Sequence, residues 1–257
     1  VYWLKAHEVP AMERQGKGRA LINVLNLKDE KIANVMSLKD FEKDYLIFVT
    51  KKGQVKKLSL KDVSKPRNSG INIMKLPMDG SDSIVNVRRV SDKQEVLLIS
   101  KKGQATRFNS DDVRIMGRAS YGVRGIDLSE KDEVVSIEVL PLDGKTTILT
   151  ATDKGYGKRS DLDDYRKTSR GGKGVINLKV SDKTGEVIGS LSVDNKDSVI
   201  VTTSKGMVTR IGMKDMRVMG RATQGVRMVK LKVGDRAVEI VRVPRDDEIE
   251  KVEVKEE

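Results

Sequence analysis

The chain has 257 residues, and its 50 Lys and Arg against 38 Asp and Glu give a net charge of +12 and a pI of about 9.6. Charged residues make up 34% of the chain, and its apolar runs are much shorter than a membrane-spanning helix, which argues against a membrane protein. The absence of cysteine excludes disulfides, thiolate metal ligands and cysteine nucleophiles, and a single histidine, His7, leaves little material for acid–base catalysis.

The strongest pattern in the sequence is a repeat. Four segments each combine an apolar strand, a turn with glycine and a basic strand: 45–58, 95–108, 146–160 and 198–211. A second glycine recurs along the chain with spacings of 51 or 52 residues, at Gly18, Gly70, Gly122, Gly174 and Gly225. A fixed period over five copies indicates a repeat architecture.

Each full unit contains four strand-like runs and no sustained helical periodicity. In the unit 95–145 these runs are Val96–Ser100, Ala105–Phe108, Gly122–Leu128 and Glu133–Leu140. Four strands in about 50 residues are typical of the blades of a propeller. We therefore predict an all-β, propeller-like disc of five to six four-stranded blades. Its repeat units are 1–44, 45–94, 95–145, 146–197 and 198–245.

The first unit begins at its second strand, so closure of the ring needs a strand from elsewhere, for which the run 249–254 is a candidate, or from residues upstream of Val1.

An Asp recurs nine residues after each turn glycine, at Asp62, Asp112, Asp164 and Asp215. Four copies on four blades cannot converge on one ion. We therefore predict no metal site, and we expect each carboxylate to bond the backbone of its own turn.

Charge is distributed unevenly along the chain. Residues 246–257 form a tail with seven acids and two lysines, whereas the preceding 245 residues hold 48 basic and 31 acidic side chains, a net charge of +17. A domain this basic predicts a polyanionic partner. The acidic tail either competes for the same surface or is simply a solvated end.

Arginine recurs at a fixed offset from the turn glycines and begins a short loop that ends at the second glycine. Equal offsets on successive blades reach the same edge of a disc, so these basic residues predict a band suited to phosphate groups. An alternative is that the arginines hold each loop to the neighbouring blade through carboxylates. The predicted DNA-binding residues are Arg14, Lys17, Arg19, Lys57, Arg67, Arg107, Arg118, Arg124, Arg159, Arg166, Arg170, Gly171, Gly172, Lys173, Gly174, Arg210, Arg221 and Arg227.

The nine aromatic residues are not interleaved with the arginines, and single-strand and RNA binders depend on such stacking platforms. Sequence readout needs a helix or ribbon that enters a groove, and no helix is indicated. The sequence therefore favours a protein that binds and bends duplex DNA through contacts to the DNA backbone. The alternative from another class of function is a protein-interaction propeller that binds acidic protein partners.

The segments VYWLK (1–5), MGRASYGVRGI (116–126), GYGKR (155–159) and SRGGKGVI (169–176) closely resemble the C-terminal domain of the bacterial DNA gyrase A subunit. The related subunit of topoisomerase IV has a similar domain. The resemblance covers essentially the whole chain, including its period. It implies a β-pinwheel, a disc whose blades exchange strands, which wraps DNA around its rim for a type IIA topoisomerase.

The same resemblance places the chemistry elsewhere. ATP and Mg²⁺ would belong to other parts of the holoenzyme, so this domain would carry no catalytic residue, metal or cofactor. Its partners would be double-stranded DNA, the ATPase B subunit of the enzyme and the rest of the A subunit, in the bacterial cytoplasm at the nucleoid.

Gyrase carries a heptapeptide, Gln-Arg-Arg-Gly-Gly-Lys-Gly, ahead of the part equivalent to Val1, and negative supercoiling needs it. The segment 168–174 agrees with that heptapeptide at five of seven positions. The resemblance thus implies phosphate binding by 170–174 but not supercoiling. A topoisomerase IV-like domain that supports relaxation and decatenation stays open.

Overall fold

The computed structural model describes residues 1–11, 13, 20–25, 27, 32–65, 67, 69–143 and 146–243. The strands of this part of the chain are β1 Tyr45–Thr50, β2 Gln54–Ser59, β3 Ile84–Val90, β4 Glu95–Ser100, β5 Gln104–Asn109, β6 Val123–Arg124, β7 Val134–Val139, β8 Thr147–Thr152, β9 Tyr156–Asp161, β10 Val175–Ile176, β11 Val187–Val193, β12 Ser198–Thr203, β13 Val208–Gly212, β14 Val226–Arg227 and β15 Ala237–Val243. Short 3-10 helices occur at Ala6–Glu8, Leu21–Asn23, Leu60–Val63, Ser110–Asp112, Leu162–Asp164 and Met213–Asp215.

The strands form four antiparallel sheets, with the orders β3-β1-β2-β6, β10-β5-β4-β7, β11-β8-β9-β14 and β13-β12-β15. In the first three, the two-residue strand comes from the next repeat unit. Val123 pairs with Val55, Val175 with Ala105, and Val226 with Gly157. This confirms the all-β prediction and the exchange of strands between blades that the resemblance implies.

The turn glycine of each hairpin allows this exchange. Gly103 has a φ of +82°, and a Cβ built on it would lie 2.2 Å from the carbonyl oxygen of Leu178, in the incoming segment of the next unit. Glycine tolerates the left-handed conformation and leaves room for that backbone. The equivalent Gly206 faces open space, and its strand β13 has no fourth strand beside it in the described part of the chain.

The radial order of the strands follows from their contacts. The last strands of successive units pack in sequence, β3 against β7, β7 against β11 and β11 against β15, and therefore lie nearest the axis. The exchanged strands β6, β10 and β14 lie at the opposite end of each sheet, which makes them the outer edge. Apolar clusters fill the spaces between adjacent sheets, as where Ile47 of β1 packs with Leu98 of β4 and Ile137 of β7.

The number of sheets differs from the five to six blades predicted, because the described residues of the unit 1–44 form no strand. A trace of its sheet is present, since Val1 and Ile71 exchange two backbone hydrogen bonds of 2.8 and 3.0 Å. The candidate closing run 249–254 and the acidic tail lie outside the described residues. No helix in the described ranges is long and apolar enough to cross a membrane.

The recurring Asp residues lie in the 3-10 turns, but the predicted bonding is wrong in detail. Backbone groups close these turns, as where the N–H of Tyr165 donates to the carbonyl of Leu162 at 3.0 Å. In two of them the Asp contributes its backbone carbonyl to an arginine of the next unit, as described below. Among the described residues, no three His, Cys, Asp or Glu are grouped as metal ligands would be.

Candidate nucleic-acid interface

Three rim loops, 118–122, 170–174 and 221–225, lead into the exchanged strands at the outer edge. Each loop is hydrogen-bonded to the preceding unit. The N–H of Gly171 donates to the carbonyl of Gly125 at 2.8 Å, and the carbonyl of Gly172 accepts from the N–H of Asp127 at 2.9 Å. The carbonyls of Ser120 and Thr223 accept in the same way from the N–H groups of Lys75 and Lys179. The rim loops are therefore fixed in place by backbone contacts.

The recurring arginines add a second attachment. Arg170 donates from Nε to the carbonyl of Asp112 at 2.9 Å and from Nη1 to that of Arg124 at 3.1 Å. Arg221 repeats this with the carbonyls of Asp164 and Ile176, at 2.9 and 2.6 Å. The alternative interpretation thus holds for these two residues, with carbonyls in place of carboxylates. One edge of each guanidinium serves the blade, although both side chains stay partly exposed.

Arg170→Lys and Arg221→Lys should each lower the free energy of unfolding by about 1 kcal/mol, because an ammonium cannot donate to two carbonyls in the fixed geometry of the guanidinium. Urea denaturation measures the effect. Arg118→Lys is the matched control, since the Arg118 guanidinium makes no hydrogen bond within the described part of the chain. An equal loss in all three variants would contradict the attachment.

Three of the basic residues four places after the turn glycines lie between blades. Lys57 and Arg159 are 3% exposed, and their charged groups bind the 3-10 turn of the next unit. Lys57 contacts the Asp111 carboxylate at 3.1 Å, and Arg159 donates to the Met213 carbonyl at 3.0 Å. Arg107 donates to the Leu162 carbonyl at 2.9 Å and forms an ion pair with Glu95. Because these groups are committed to blade contacts, we leave all three out of the proposed interface.

The other predicted cations are exposed where the structure describes them. Arg210 is exposed, and in the described part of the chain β13 has no strand beside it other than β12. Arg124 lies 3.7 Å from the Asp127 carboxylate, and the Arg227 guanidinium lies over the Tyr156 ring at 5.6 Å from its centroid. The exposed set is Arg67, Arg118, Arg124, Arg166, Lys173, Arg210 and Arg227. Arg14, Lys17 and Arg19 lie outside the described residues.

The prediction missed some exposed cations on the same edge. Arg114 and Arg217 occupy the offset of Arg166, eleven residues after the turn glycine. Lys75 and Lys179 occupy a further common offset, five residues after the second glycine, and their N–H groups bind the neighbouring rim loop. The repeat contained this signal, because shared offsets place residues at equivalent points of successive blades.

The glycine-rich loop 170–174 has a divided role. Gly171 and Gly174 have φ values of +83° and +75°, and a Cβ on Gly174 would lie 2.2 Å from the carbonyl oxygen of Ala105. Gly172 faces open space and Lys173 is exposed. Phosphate contact at this loop is therefore open to Lys173 and the backbone at Gly172, while Gly174 seats the loop on the blade.

Two lysines lie beneath the rim loops and are fully buried. Lys56 Nζ donates to the carbonyls of Ile73, Arg118 and Ser120 at 2.6, 2.8 and 3.1 Å. Lys158 Nζ bonds to Ser160 Oγ and reaches the loop that precedes β14. Burial lowers the pKa of both lysines, and that of Lys158 falls to about 7.

These features define a propeller-like protein whose blades exchange their outermost strands and carry basic loops at that edge. A family model described as "DNA gyrase C-terminal domain, beta-propeller" matches residues 1–39, 44–91, 94–141, 146–194 and 197–244. The chain belongs to this family. The family match confirms the resemblance seen in the sequence.

Curated relatives of the chain are DNA gyrase A subunits. The DNA gyrase A subunit of Chlamydia muridarum is 44% identical over 241 residues, which cover 92% of this chain and 29% of the relative. The DNA gyrase A subunit of Salmonella typhimurium is 38% identical over 252 residues, covering 96% of this chain and 28% of the relative. The chain thus spans less than a third of the length of these relatives.

Solved structures agree with the fold. The C-terminal domain of DNA topoisomerase IV superposes with a TM-score of 0.86 at 27% identity, over 97% of this chain and 77% of that one. The DNA gyrase A C-terminal domain gives a TM-score of 0.79 at 25% identity, over 90% of this chain and 76% of that one.

Proposed function

We propose that this domain binds duplex DNA along its outer edge and bends the duplex around the blades without reading its sequence. The observation that carries the proposal is the position of the exposed cations. Arg118, Arg166, Lys173 and Arg227 lie in or beside rim loops on successive units, at the edge away from the axis. A ligand that contacts them all must follow the curve of that edge.

The elements and side chains of the interface support binding to the DNA backbone. Helices in the described part of the chain are single 3-10 turns, too short to act as recognition helices in a groove. Arginine and lysine neutralise phosphates irrespective of sequence, and the released counterions favour binding. Bending a duplex over a few tens of base pairs costs several kcal/mol, roughly what a handful of phosphate contacts can offset.

Within a larger enzyme, this domain would serve the strand-passage reaction of a gyrase-type, type IIA topoisomerase. The named relatives, both of them DNA gyrase A subunits, support that context. The ATPase B subunit of the enzyme and the rest of the A subunit would supply the catalytic residues, Mg²⁺ and ATP hydrolysis. The enzyme would act in the bacterial cytoplasm, at the nucleoid.

Fluorescence transfer between dyes at the two ends of a linear duplex tests the bending. We expect transfer to increase when the domain binds, because a curved path brings the ends together. Raising the salt concentration should reverse the signal, since phosphate contacts are salt-dependent. Binding without a change in transfer would contradict bending, and an absence of binding at physiological salt would favour the acidic-protein alternative.

A topoisomerase IV-like role is the second candidate, favoured by the TM-score of 0.86 against the topoisomerase IV domain. Such an enzyme would relax and decatenate DNA in place of introducing negative supercoils. An assay of the complete enzyme on relaxed plasmid decides between them, because ATP-dependent supercoiling occurs only with the gyrase activity.

A further inference from the structure

Lys158 combines full burial with the absence of any ion pair in the described part of the chain. It lies on β9, and its Nζ is bonded to Ser160 Oγ at 2.7 Å, to the Gly220 carbonyl at 3.3 Å and to the Arg221 carbonyl. Both carbonyls belong to the backbone just before the exchanged strand of the next unit. A titratable nitrogen therefore lies directly beneath the rim loop 221–225.

The partners of this nitrogen satisfy either protonation state. As an ammonium, Lys158 donates three hydrogen bonds, to Ser160 Oγ and to the two carbonyls. As a neutral amine it donates to the two carbonyls, and its lone pair accepts the hydroxyl proton of Ser160. The neutral form thus leaves no buried polar group unpaired, so loss of the proton changes the charge under the loop without breaking its attachment.

The equivalent residues on other blades differ in this respect. Lys56 bonds three carbonyls, which only accept, so the lone pair of its neutral form would face an acceptor and have no donor. Thr106 replaces the lysine beneath the loop 170–174, and its hydroxyl oxygen has no hydrogen-bond partner among the described residues. Lys158 is thus the position of the three where the proton can leave without such a loss.

We propose that Lys158 supplies a proton-dependent positive charge to the rim loop 221–225, so that binding of a phosphate backbone there is coupled to uptake of one proton. The inference rests on the proposed function and adds a regulated charge to that site. It concerns the nucleic-acid backbone, the same ligand that contacts the exposed arginines.

The charges around Lys158 agree with this coupling. Burial is the largest influence and lowers its pKa to about 7, the Asp164 carboxylate of the adjacent 3-10 turn raises it, and the Arg221 guanidinium lowers it. Tyr165 stays neutral, because burial raises the pKa of its phenol. Since the lysine is close to half protonated at neutral pH, a phosphate above the loop would favour the ammonium form and draw in a proton.

The linkage fixes the direction of the effect. Below pH 7, Lys158 is already charged and binding takes up few protons. Above pH 7, binding must first protonate the amine, so affinity should fall by up to about tenfold per pH unit until the pKa of the bound form is reached. Exposed arginines stay charged over this range and contribute no such step.

The first experiment follows the Cε carbon of Lys158 by NMR in the protein labelled at its lysines. We expect its chemical shift to titrate near pH 7 in the free domain and about one or more pH units higher with a mixed-sequence duplex bound. Lys56 is the internal control and should titrate at higher pH than Lys158, because its three partners are all acceptors and favour the ammonium form. A Lys158 signal that stays in its charged position up to pH 9 in the free domain would overturn the inference, whatever the DNA does.

The second experiment measures duplex affinity from pH 6.5 to 8.5, with calorimetry in buffers of different ionisation enthalpy to count protons. The step above pH 7 should vanish in Lys158→Met and persist in Lys232→Met, which removes an exposed lysine of the turn before β15. Lys158→Thr introduces the residue found at the equivalent position 106, and it serves as a second variant in case the Lys158→Met protein does not fold. Identical pH profiles in the wild type and both Lys158 variants would refute the coupling, whereas a wild type that binds no duplex at pH 6.5 would refute the proposed function itself.

Discussion

Replacing Arg118, Arg166, Lys173 and Arg227 together with glutamine should weaken duplex binding by about a hundredfold to a thousandfold at moderate salt. Each phosphate contact contributes about 0.9 to the slope of log affinity against log salt. Losing four contacts should therefore make that slope shallower by about 3 to 4. Fluorescence anisotropy of a labelled duplex over a range of salt concentrations measures both quantities. The loss should be the same for unrelated sequences, because these side chains meet the backbone.

The chain offers a control of equal charge. Lys52, Lys102, Lys154 and Lys205 precede the four turn glycines, are exposed, and recur once per unit at the hairpin turns. Replacing these four with glutamine changes the net charge by the same amount but leaves the rim loops intact. A similar loss of affinity in both quadruple variants would mean that total charge, and not the outer edge, determines binding.

The sequence predicted the blades well, for a physical reason. A hairpin with a glycine turn is a local structure, and a repeat of about 51 residues shows it several times over. The exchanged strand is harder to assign, because Val123–Arg124 looks the same whether it pairs within its own unit or with the one before. The family resemblance indicated the exchange, and Val55 opposite Val123 confirms it.

The candidate site was predicted less well, because an offset that recurs in every unit identifies an equivalent position without saying what covers it. Arg118 and Arg159 both recur in this sense. Arg118 is exposed, while Arg159 is 3% exposed beneath the 3-10 turn of the next unit. The second strand of each of the first three hairpins is covered by the next unit, and that contact is long-range. Only the packed structure distinguishes the recurring basic residues that are exposed from those that a neighbouring unit covers.

The contacts of Arg170 show a similar limit. The sequence suggested either a phosphate or a carboxylate as its partner, whereas the structure gives two backbone carbonyls, at 2.9 and 3.1 Å. Backbone acceptors leave no trace in the order of side chains. The Asp residues that recur nine positions after the turn glycines illustrate this, since Asp112 contributes its carbonyl and not its carboxylate.

Gly174→Ala should destabilise the domain severely, by about 3 kcal/mol or more. The added Cβ would lie 2.2 Å from the Ala105 carbonyl oxygen and 2.6 Å from Thr106 Oγ1, and the φ of +75° is unfavourable for any residue with a side chain. The contact is with backbone, which cannot move without breaking the pairing of Val175 with Ala105. Urea denaturation measures the loss, and hydrogen exchange at Val175 and Ile176 should show the exchanged strand leaving its neighbour's sheet.

Gly172→Ala in the same loop is the matched control, because a Cβ there meets nothing within 4 Å and its φ is not left-handed. Its stability should stay within about 0.5 kcal/mol of the wild type.

The Gly172 and Gly174 variants together also separate two roles of a glycine-rich loop. If glycine is needed so that phosphate can approach, Gly172→Ala should weaken DNA binding at unchanged stability. If glycine is needed to seat the loop on the preceding blade, only Gly174→Ala should have an effect, and it should lower stability and binding together. Equal stability of both variants would contradict the close contact with Ala105 on which the attachment of this loop depends.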